Sequence, residues 1–168
     1  MLISQIEQTF CKLAKPDIDQ LKAAILSLGP HLSEVKNYKT EPEQLPYGRN
    51  VLLRTDELEV IVIHIPGHQQ TAIHDHGESV GCAYVVEGEL MNTICSLDKD
   101  GFPQPEAYQQ IRAGECFTAP SEQIHELANL RDESMISFHV YAPPLKDVKR
   151  YIPYVEGRLA NSGKANQA

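Results

Sequence analysis

The spacing of apolar positions changes partway along the chain. Up to residue 28 they recur every three or four residues, which is the spacing of an amphipathic helix. Asp17 precedes the second such run as a plausible N-cap, and Gly29-Pro30 follows it as a stop. We therefore predict two helices that cover one side of a sheet, with these apolar positions: Leu2, Ile3, Ile6, Phe10 and Leu13, then Ile18, Leu21, Ala24, Ile25 and Leu28.

From Arg49 onwards the apolar residues form short β-branched runs separated by Gly, Pro and polar turns. We predict strands at residues 51–54, 58–65, 71–75, 80–87, 89–97, 106–112, 115–119, 124–130 and 134–141. Residues 30–48 are rich in Pro, Glu and Tyr and are predicted to be irregular. Many short strands without intervening helices indicate an all-β-dominated fold, either an antiparallel sandwich or a small barrel.

The strand region ends before the C-terminus. Pro143-Pro144 closes the strand region, and the segment of Tyr151, Ile152, Tyr154 and Val155 is predicted to fold back on the barrel. We expect one domain over residues 1–158, with helices in 1–30 and the β core in 45–145. Residues 159–168 are expected to form a flexible tail.

Composition narrows the class of protein. A formal net charge of −8 argues against nucleic acid and anionic membrane as partners, because both are bound by clustered Lys and Arg. The four cysteines include no Cys-x-x-Cys pair, so a structural zinc site is not indicated. The first residues do not resemble a signal peptide, and no apolar run approaches the roughly 18 residues of a membrane span. We expect a cytoplasmic protein with reduced thiols.

His74 and His76 form a His-x-His pair at the end of an apolar run. Residues i and i+2 of a strand point to the same face, so the two imidazoles would lie on one side, about 6–7 Å apart along the strand. They could converge on a transition metal, while Asp75 would point the other way. Two ligands do not complete a site, so a third must come from elsewhere.

His125 supplies the third candidate. The run from Gly114 to Asn129 contains a Gly, five residues and a Pro, then His125, with the Asn four residues further on. This run resembles the second cupin motif, apart from Glu122, where the motif usually has Gly. The stretch from Gly67 to Gly88 resembles the first cupin motif. The resemblance implies a double-stranded jelly-roll β-barrel, with His74, His76 and His125 as metal ligands.

Gly81 occupies the position at which the first cupin motif usually carries an acidic ligand. Three neutral imidazoles would leave a bound metal its full 2+ charge and about three open positions if it is six-coordinate. Such a centre suits an anionic ligand, and a thiolate is a strong candidate. A three-His site also fits zinc hydrolases, so the ligands alone leave the chemistry open.

A strand near the end of the β region carries Ser137, His139 and Tyr141 at i, i+2 and i+4, hence on one face. That run, the His-x-His segment, the second cupin motif and the segment Tyr47-Gly48-Arg49-Asn50 together resemble the cysteine dioxygenases, and most closely their short bacterial members. Gly81 stands where mammalian members have a Cys that is crosslinked to the tyrosine. Cys82 would point to the opposite face, so we expect no Cys-Tyr thioether.

The resemblance implies roles for five further residues. Arg49 would bind the substrate carboxylate through its guanidinium fork, and Tyr47 would add a second hydrogen bond. Tyr141 would direct its hydroxyl at the metal-bound substrate or oxygen, His139 would hold that hydroxyl, and Ser137 would orient His139. Related enzymes that prefer 3-mercaptopropionate carry Gln at the position of Arg49, so the Arg favours L-cysteine.

The implied activity is that of an Fe(II)-dependent cysteine dioxygenase, an oxidoreductase that adds both atoms of O₂ to the thiol of L-cysteine and gives cysteine sulfinic acid. The implied context is cysteine catabolism and taurine or sulfinate metabolism. The expected partners are L-cysteine and O₂, without nucleic acid or membrane, and the chain would be a monomer or weak homo-oligomer. Three alternatives stay open: a dioxygenase of 3-mercaptopropionate or another small thiol, a non-catalytic metal-binding cupin, and a zinc-dependent cupin isomerase.

Overall fold

The computed structural model describes residues 1–155 and 166–167. Its helices precede its strands, as the change from helical spacing to short β-branched runs predicts. The N-terminal part contains α1 (Leu2–Phe10), α2 (Ile18–Ser27) and a 3₁₀ helix (Gly29–Tyr38). The remainder contains the strands β1 (Gly48–Arg54), β2 (Glu59–Ile65), β3 (Ile73–His74), β4 (Val80–Glu87), β5 (Glu89–Leu97), β6 (Pro103–Arg112), β7 (Cys116–Ala119), β8 (Ile124–Ala128), β9 (Met135–Ala142), β10 (Lys149–Tyr151) and β11 (Asn166–Gln167).

The strands form two antiparallel sheets. One has the order β1-β2-β9-β4-β7 and the other the order β11-β10-β3-β8-β5-β6. The sheets pack face to face in a jelly-roll of the cupin type, although hydrogen bonding among the described residues does not close them into a continuous barrel. The predicted all-β-dominated fold with N-terminal helices packed on it is confirmed.

Strands β2 and β9 are buried along their whole length because both of their faces are covered. Alternate residues such as Val60, Phe138 and Val140 pack beneath the N-terminal helices, against Leu2, Ile6 and Phe10 among others. The residues between them face the other sheet. This second core includes Ile61, Ile63 and Tyr141 from the first sheet and Leu90 and Leu127 from the second. Strand alternation therefore separates a packing face from a face that is turned to the interior of the jelly-roll.

Helix α2 begins where its N-cap was predicted. The backbone N–H of Gln20 donates to Asp17 Oδ1 at 2.8 Å, and the N–H of Asp17 donates to Gln20 Oε1 at 3.0 Å. This reciprocal pair is a capping box, which satisfies two backbone donors that the first helical turn leaves unpaired. The buried side chains Leu21, Ala24 and Ile25 then pack on the first sheet.

The structure corrects the sequence analysis on both sides of the β core. Residues 29–38 form a 3₁₀ helix with Leu32 and Val35 buried, so the prediction of an irregular segment is wrong there. The returning segment pairs with the sheet through β10, but Ile152, Tyr154 and Val155 are exposed. Within the predicted tail, residues 166–167 pair with β10, and 159–165 and 168 lie outside the described residues. No helix among residues 1–155 is long and apolar enough to cross a membrane.

Replacing Asp17 tests the capping box. We expect Asp17→Ala to lower the free energy of unfolding by about 1 kcal/mol, because one orphan backbone donor loses its partner. Asp17→Asn is the matched control, since its amide oxygen can still accept from Gln20. Urea denaturation of both variants measures the effect, and equal stability of Asp17→Ala and the wild type would contradict it.

Candidate metal centre

Three histidines converge at the interior face of the second sheet. His74 ends β3 and is directly paired with His125 on β8, while His76 lies in the turn that follows β3. Their ring centroids are 4.7–5.0 Å apart, and one ligand nitrogen from each lies within 4.8 Å of the others. The three predicted ligands are thus brought together, although His74 and His76 do not share one strand as the spacing had indicated.

The hydrogen bonds of two rings fix which nitrogen faces the cluster. His74 Nδ1 lies 2.7 Å from the carbonyl oxygen of Ala72, which can only accept, so Nδ1 carries the proton in the neutral ring. His125 Nδ1 lies 2.8 Å from Asn92 Oδ1 in the same way. Both rings therefore keep their Nε2 lone pairs free.

A bound cation fits this arrangement. His125 Nε2 lies 3.2 Å from His76 Nε2, so the lone pair of His125 faces the partner nitrogen at close range. Two nitrogens that are each about 2.0–2.1 Å from one metal lie about 3 Å apart when they meet it at a right angle. A cation between these nitrogens would satisfy both, and nitrogen ligands of this kind suit Fe, Zn, Cu or Ni.

Burial keeps the imidazoles neutral, which is the form that binds metals. It lowers the pKa of His76 to about 3, with a contribution from the neighbouring His74 and His139. Burial is also the main cause of the lowered pKa of His74 and of His125.

Asp75 lies between two of these histidines and points away from them, as the sequence predicted. Its carboxylate accepts from the backbone N–H groups of Gly77 and Lys149, each at 3.1 Å, and from the hydroxyl of Tyr151 at 2.8 Å. The buried carboxylate thereby fastens the turn that carries His76 to β10.

Across the cavity, β9 presents the hydrogen-bond chain that the resemblance implied and that the i, i+2, i+4 spacing allows. Ser137 Oγ lies 2.7 Å from His139 Nε2, and His139 Nδ1 lies 3.0 Å from the Tyr141 hydroxyl. Burial lowers the pKa of His139 to about 3 and raises the pKa of Tyr141. The Tyr141 ring lies against His76 with centroids 4.7 Å apart, so this chain ends at the histidine cluster.

Gly81 leaves room for Tyr141. The two residues are paired across β4 and β9, and a Cβ at position 81 would come within 2.7 Å of Tyr141 Cε1. Cys82 is on the other face of β4, in the core beneath the helices. The Cys82 thiol and the Tyr141 ring are therefore separated by the sheet itself, which agrees with the expected absence of a thioether.

Tyr47 and Arg49 line one cavity of about 280 Å³ together with His74, His76 and Tyr141. Arg49 is on β1 and Tyr47 immediately precedes that strand. Gly48 between them passes so close to Thr40 that a Cβ would lie 1.8 Å from its carbonyl oxygen, so only glycine fits. Apolar side chains line much of the rest: Leu45, Ile61, Ile63, Leu127, Leu145 and Val148.

Sequence reasoning missed three features of this site. Asn92, which orients His125, is a fully buried polar residue of β5, and Arg150 of β10 also lines the cavity. Glu59 is a fully buried carboxylate next to Arg49. The only signal for Glu59 was one charged residue within the apolar run Leu58–Ile65. The three remaining histidines are not part of this site. They are hydrogen-bonded to other residues: His31 to Glu34, His64 to the Thr40 carbonyl and His68 to Asp132.

Solved structures share the fold. An uncharacterized conserved protein with a double-stranded beta-helix domain from Klebsiella pneumoniae is 24% identical, and the match covers 70% of this chain and 94% of that one with a TM-score of 0.57. A protein from Bacillus halodurans is 17% identical over 70% of this chain and 80% of its own, with a TM-score of 0.58. A protein from Thermus thermophilus is 16% identical over 66% and 94%, with a TM-score of 0.55.

Comparison of the sequence with family models assigns the chain to a more specific group than these structures do. The sequence model of the family described as "Cysteine dioxygenase type I" matches residues 1–153, which include the three-histidine cluster, Arg49 and the hydrogen-bond chain of β9. The chain therefore belongs to the cysteine dioxygenase type I family, and this family together with the histidine cluster supports a metal-dependent thiol dioxygenase.

Proposed function

We propose that this protein oxidises L-cysteine with O₂ to cysteine sulfinic acid and uses Fe(II) as its metal. The observation that carries the proposal is a single cavity lined by His74 and His76 of the three-histidine cluster, together with Arg49 and Tyr141. The histidines can bind a metal, Arg49 can bind a carboxylate, and the Tyr141 hydroxyl can donate a hydrogen bond. The reaction belongs to cysteine catabolism and to taurine or sulfinate metabolism.

His74, His76 and His125 would hold the iron through their Nε2 atoms. When bound, Fe(II) supplies the redox chemistry with O₂ and lowers the pKa of a coordinated thiol. The chain itself supplies the fixed orientation of the rings. Ala72 and Asn92 hold His74 and His125 by their Nδ1 protons, so neither ring has to reorient when a metal binds.

Arg49 and Tyr47 would bind the substrate carboxylate. The Arg49 guanidinium makes one long contact within the described residues, to Glu59 at 3.5 Å, which leaves its other N–H groups for the cavity. A guanidinium binds a carboxylate through two parallel hydrogen bonds and so fixes its plane. Burial raises the pKa of Tyr47, so its hydroxyl stays protonated and can donate a further bond.

The hydrogen-bond chain of β9 would set the direction in which Tyr141 donates. His139 is neutral, so one ring nitrogen donates and the other accepts. If Ser137 donates to His139 Nε2, then Nδ1–H donates to the oxygen of Tyr141. The phenol proton is then free to point into the cavity, where it can bond to the substrate or to oxygen.

The apolar walls complete the site. Side chains such as Ile61, Ile63 and Leu127 have no polar group to offer, so they favour the removal of water around the reacting thiol. The polar contacts are concentrated at Arg49, Tyr47 and Tyr141, which restricts the number of ways in which a small thiol acid can bind.

Oxygen consumption with L-cysteine tests the proposal directly. Protein loaded anaerobically with Fe(II) should consume one O₂ for each sulfinate formed, and should turn over L-cysteine faster than 3-mercaptopropionate. A faster reaction with 3-mercaptopropionate would assign that thiol as the substrate. Uptake of zinc in preference to iron, without oxygen consumption, would favour a zinc-dependent cupin.

Removal of single histidines tests the metal site. We expect His74→Ala, His76→Ala and His125→Ala each to abolish stable iron binding, because two imidazoles remain. His68→Ala is the control, since that side chain is 66% exposed and contacts Asp132. Iron per chain after desalting is the measurement. A variant that kept full iron occupancy would exclude its histidine from the ligand set.

Replacement of His139 tests the hydrogen-bond chain. We expect His139→Phe to lower kcat about 10- to 100-fold at unchanged iron content, because Tyr141 loses the group that fixes its hydroxyl. His139→Asn, which can still place an N–H near the Tyr141 oxygen, should recover part of that loss. A loss of iron in proportion to the loss of activity would instead assign His139 to support of the metal site.

A further inference from the structure

Glu59 is a buried charge that the proposed reaction does not use. It is fully buried on β2, where it is paired with Arg54 of β1 on one side and with Tyr141 of β9 on the other. Alternation along β2 turns its side chain to the same interior face as Ile61 and Ile63. Removal of a carboxylate from water is costly, so each of its partners has to compensate for that cost.

Three donors surround this carboxylate. Arg54 Nη1 donates to Glu59 Oε2 at 3.1 Å, and Arg49 Nη2 approaches the same oxygen at 3.5 Å. The backbone N–H of Leu145 donates to Glu59 Oε1 at 2.9 Å. Glu59 therefore contacts Arg49, which is the proposed carboxylate-binding residue, and also the backbone of a loop that is distant in sequence, at Leu145.

That loop forms a wall of the cavity. Residues 145–148 line it, beside Arg49 and Tyr141. Both backbone groups of Leu145 are engaged, because Arg54 Nη2 also donates to its carbonyl oxygen at 3.4 Å. Glu59 and Arg54 together hold this wall at a fixed distance from the first sheet.

We propose that Glu59 is a positioning residue that fixes the Arg49 guanidinium relative to the Leu145 wall, and so sets the affinity of the cavity for the substrate carboxylate. This inference rests on the proposed function, because it assumes that Arg49 binds that carboxylate. Glu59 itself would not touch the substrate, since its oxygens are occupied by protein donors.

Glu59 has two opposite effects on the affinity of Arg49 for a carboxylate. Its negative charge weakens the attraction of Arg49 for an anion, whereas its contact restrains a long side chain with several rotamers. The charge is already compensated by Arg54 and by the Leu145 N–H, both of which are closer to it than Arg49 is. Orientation is therefore the larger effect, and loss of Glu59 should weaken carboxylate binding.

Glu59→Gln is the informative variant, because the amide oxygen can still accept from Leu145 while the charge that holds Arg49 is removed. We expect KM for L-cysteine to rise roughly tenfold with kcat and iron content nearly unchanged. Cysteamine, which lacks the carboxylate, is tested as a competitor of L-cysteine, and its Ki should be the same in the variant and the wild type. Arg49→Gln should raise KM at least as much.

Arg54→Lys is the matched control. It keeps a positive charge beside Glu59 and leaves the contact to Arg49, but it removes the Nη2 group that donates to Leu145. We expect KM for L-cysteine to stay within about twofold of the wild-type value. An equal rise of KM in Arg54→Lys and Glu59→Gln would show that the loop, and not Arg49, is what Glu59 controls, and would overturn the proposal.

Crystal structures of the wild type and Glu59→Gln provide a readout that is independent of activity. We expect the Arg49 guanidinium to be displaced or disordered in the variant, and Leu145 to keep its position. An unmoved Arg49, an unchanged or lower KM for L-cysteine, or a parallel change in the cysteamine Ki would each overturn it. A wild-type protein that turns over no thiol would refute the proposed function instead, and the structural comparison would still test Glu59.

Discussion

Burial of β9 on both of its faces is the constraint on which the rest of the structure depends. Because β9 lies between β2 and β4, each of its residues must fit either the helical layer or the interior of the jelly-roll. Phe138 and Val140 fill the helical side, and Ser137, His139 and Tyr141 face the cavity. Buried polar groups are tolerated only when they are hydrogen-bonded, and here the three satisfy one another. The N-terminal helices thus act on the site indirectly, since they cover the sheet that holds it.

The facing sheet supplies the other half of the site. His74 and His125 are neighbours because β3 pairs with β8, and Asp75 fixes the turn of His76 to β10. Neither sheet alone would form the cavity, because the histidine cluster belongs to one sheet and Tyr141, Arg49 and Glu59 to the other. The packing of the two sheets therefore determines the distance between the metal ligands and the groups that would bind substrate.

The sequence predicts those features that depend on local periodicity or on a motif of fixed spacing. The fold class and the N-cap at Asp17 follow from such patterns, and so does the placement of Ser137, His139 and Tyr141 on one face of β9. The roles of Asn92 and Glu59 do not, because each depends on a partner that only the strand register brings near. The 3₁₀ helix was missed for a related reason, since its stability comes from burying Leu32 and Val35 against distant elements.

Charge balance connects these features to substrate choice. The three metal-binding candidates are neutral, and Gly81 supplies no carboxylate to offset a divalent ion. Glu59 places a buried negative charge next to Arg49, but its carboxylate is also paired with Arg54. With Fe(II) in place, the cavity would therefore carry an excess of positive charge in a partly dehydrated space, where such an excess acts strongly. The proposed substrate, L-cysteine, would bring two negative charges, a thiolate for the metal and a carboxylate for Arg49. A cationic amine or a neutral alcohol of the same size would leave that excess uncompensated, so these electrostatics favour a thiol acid over such compounds.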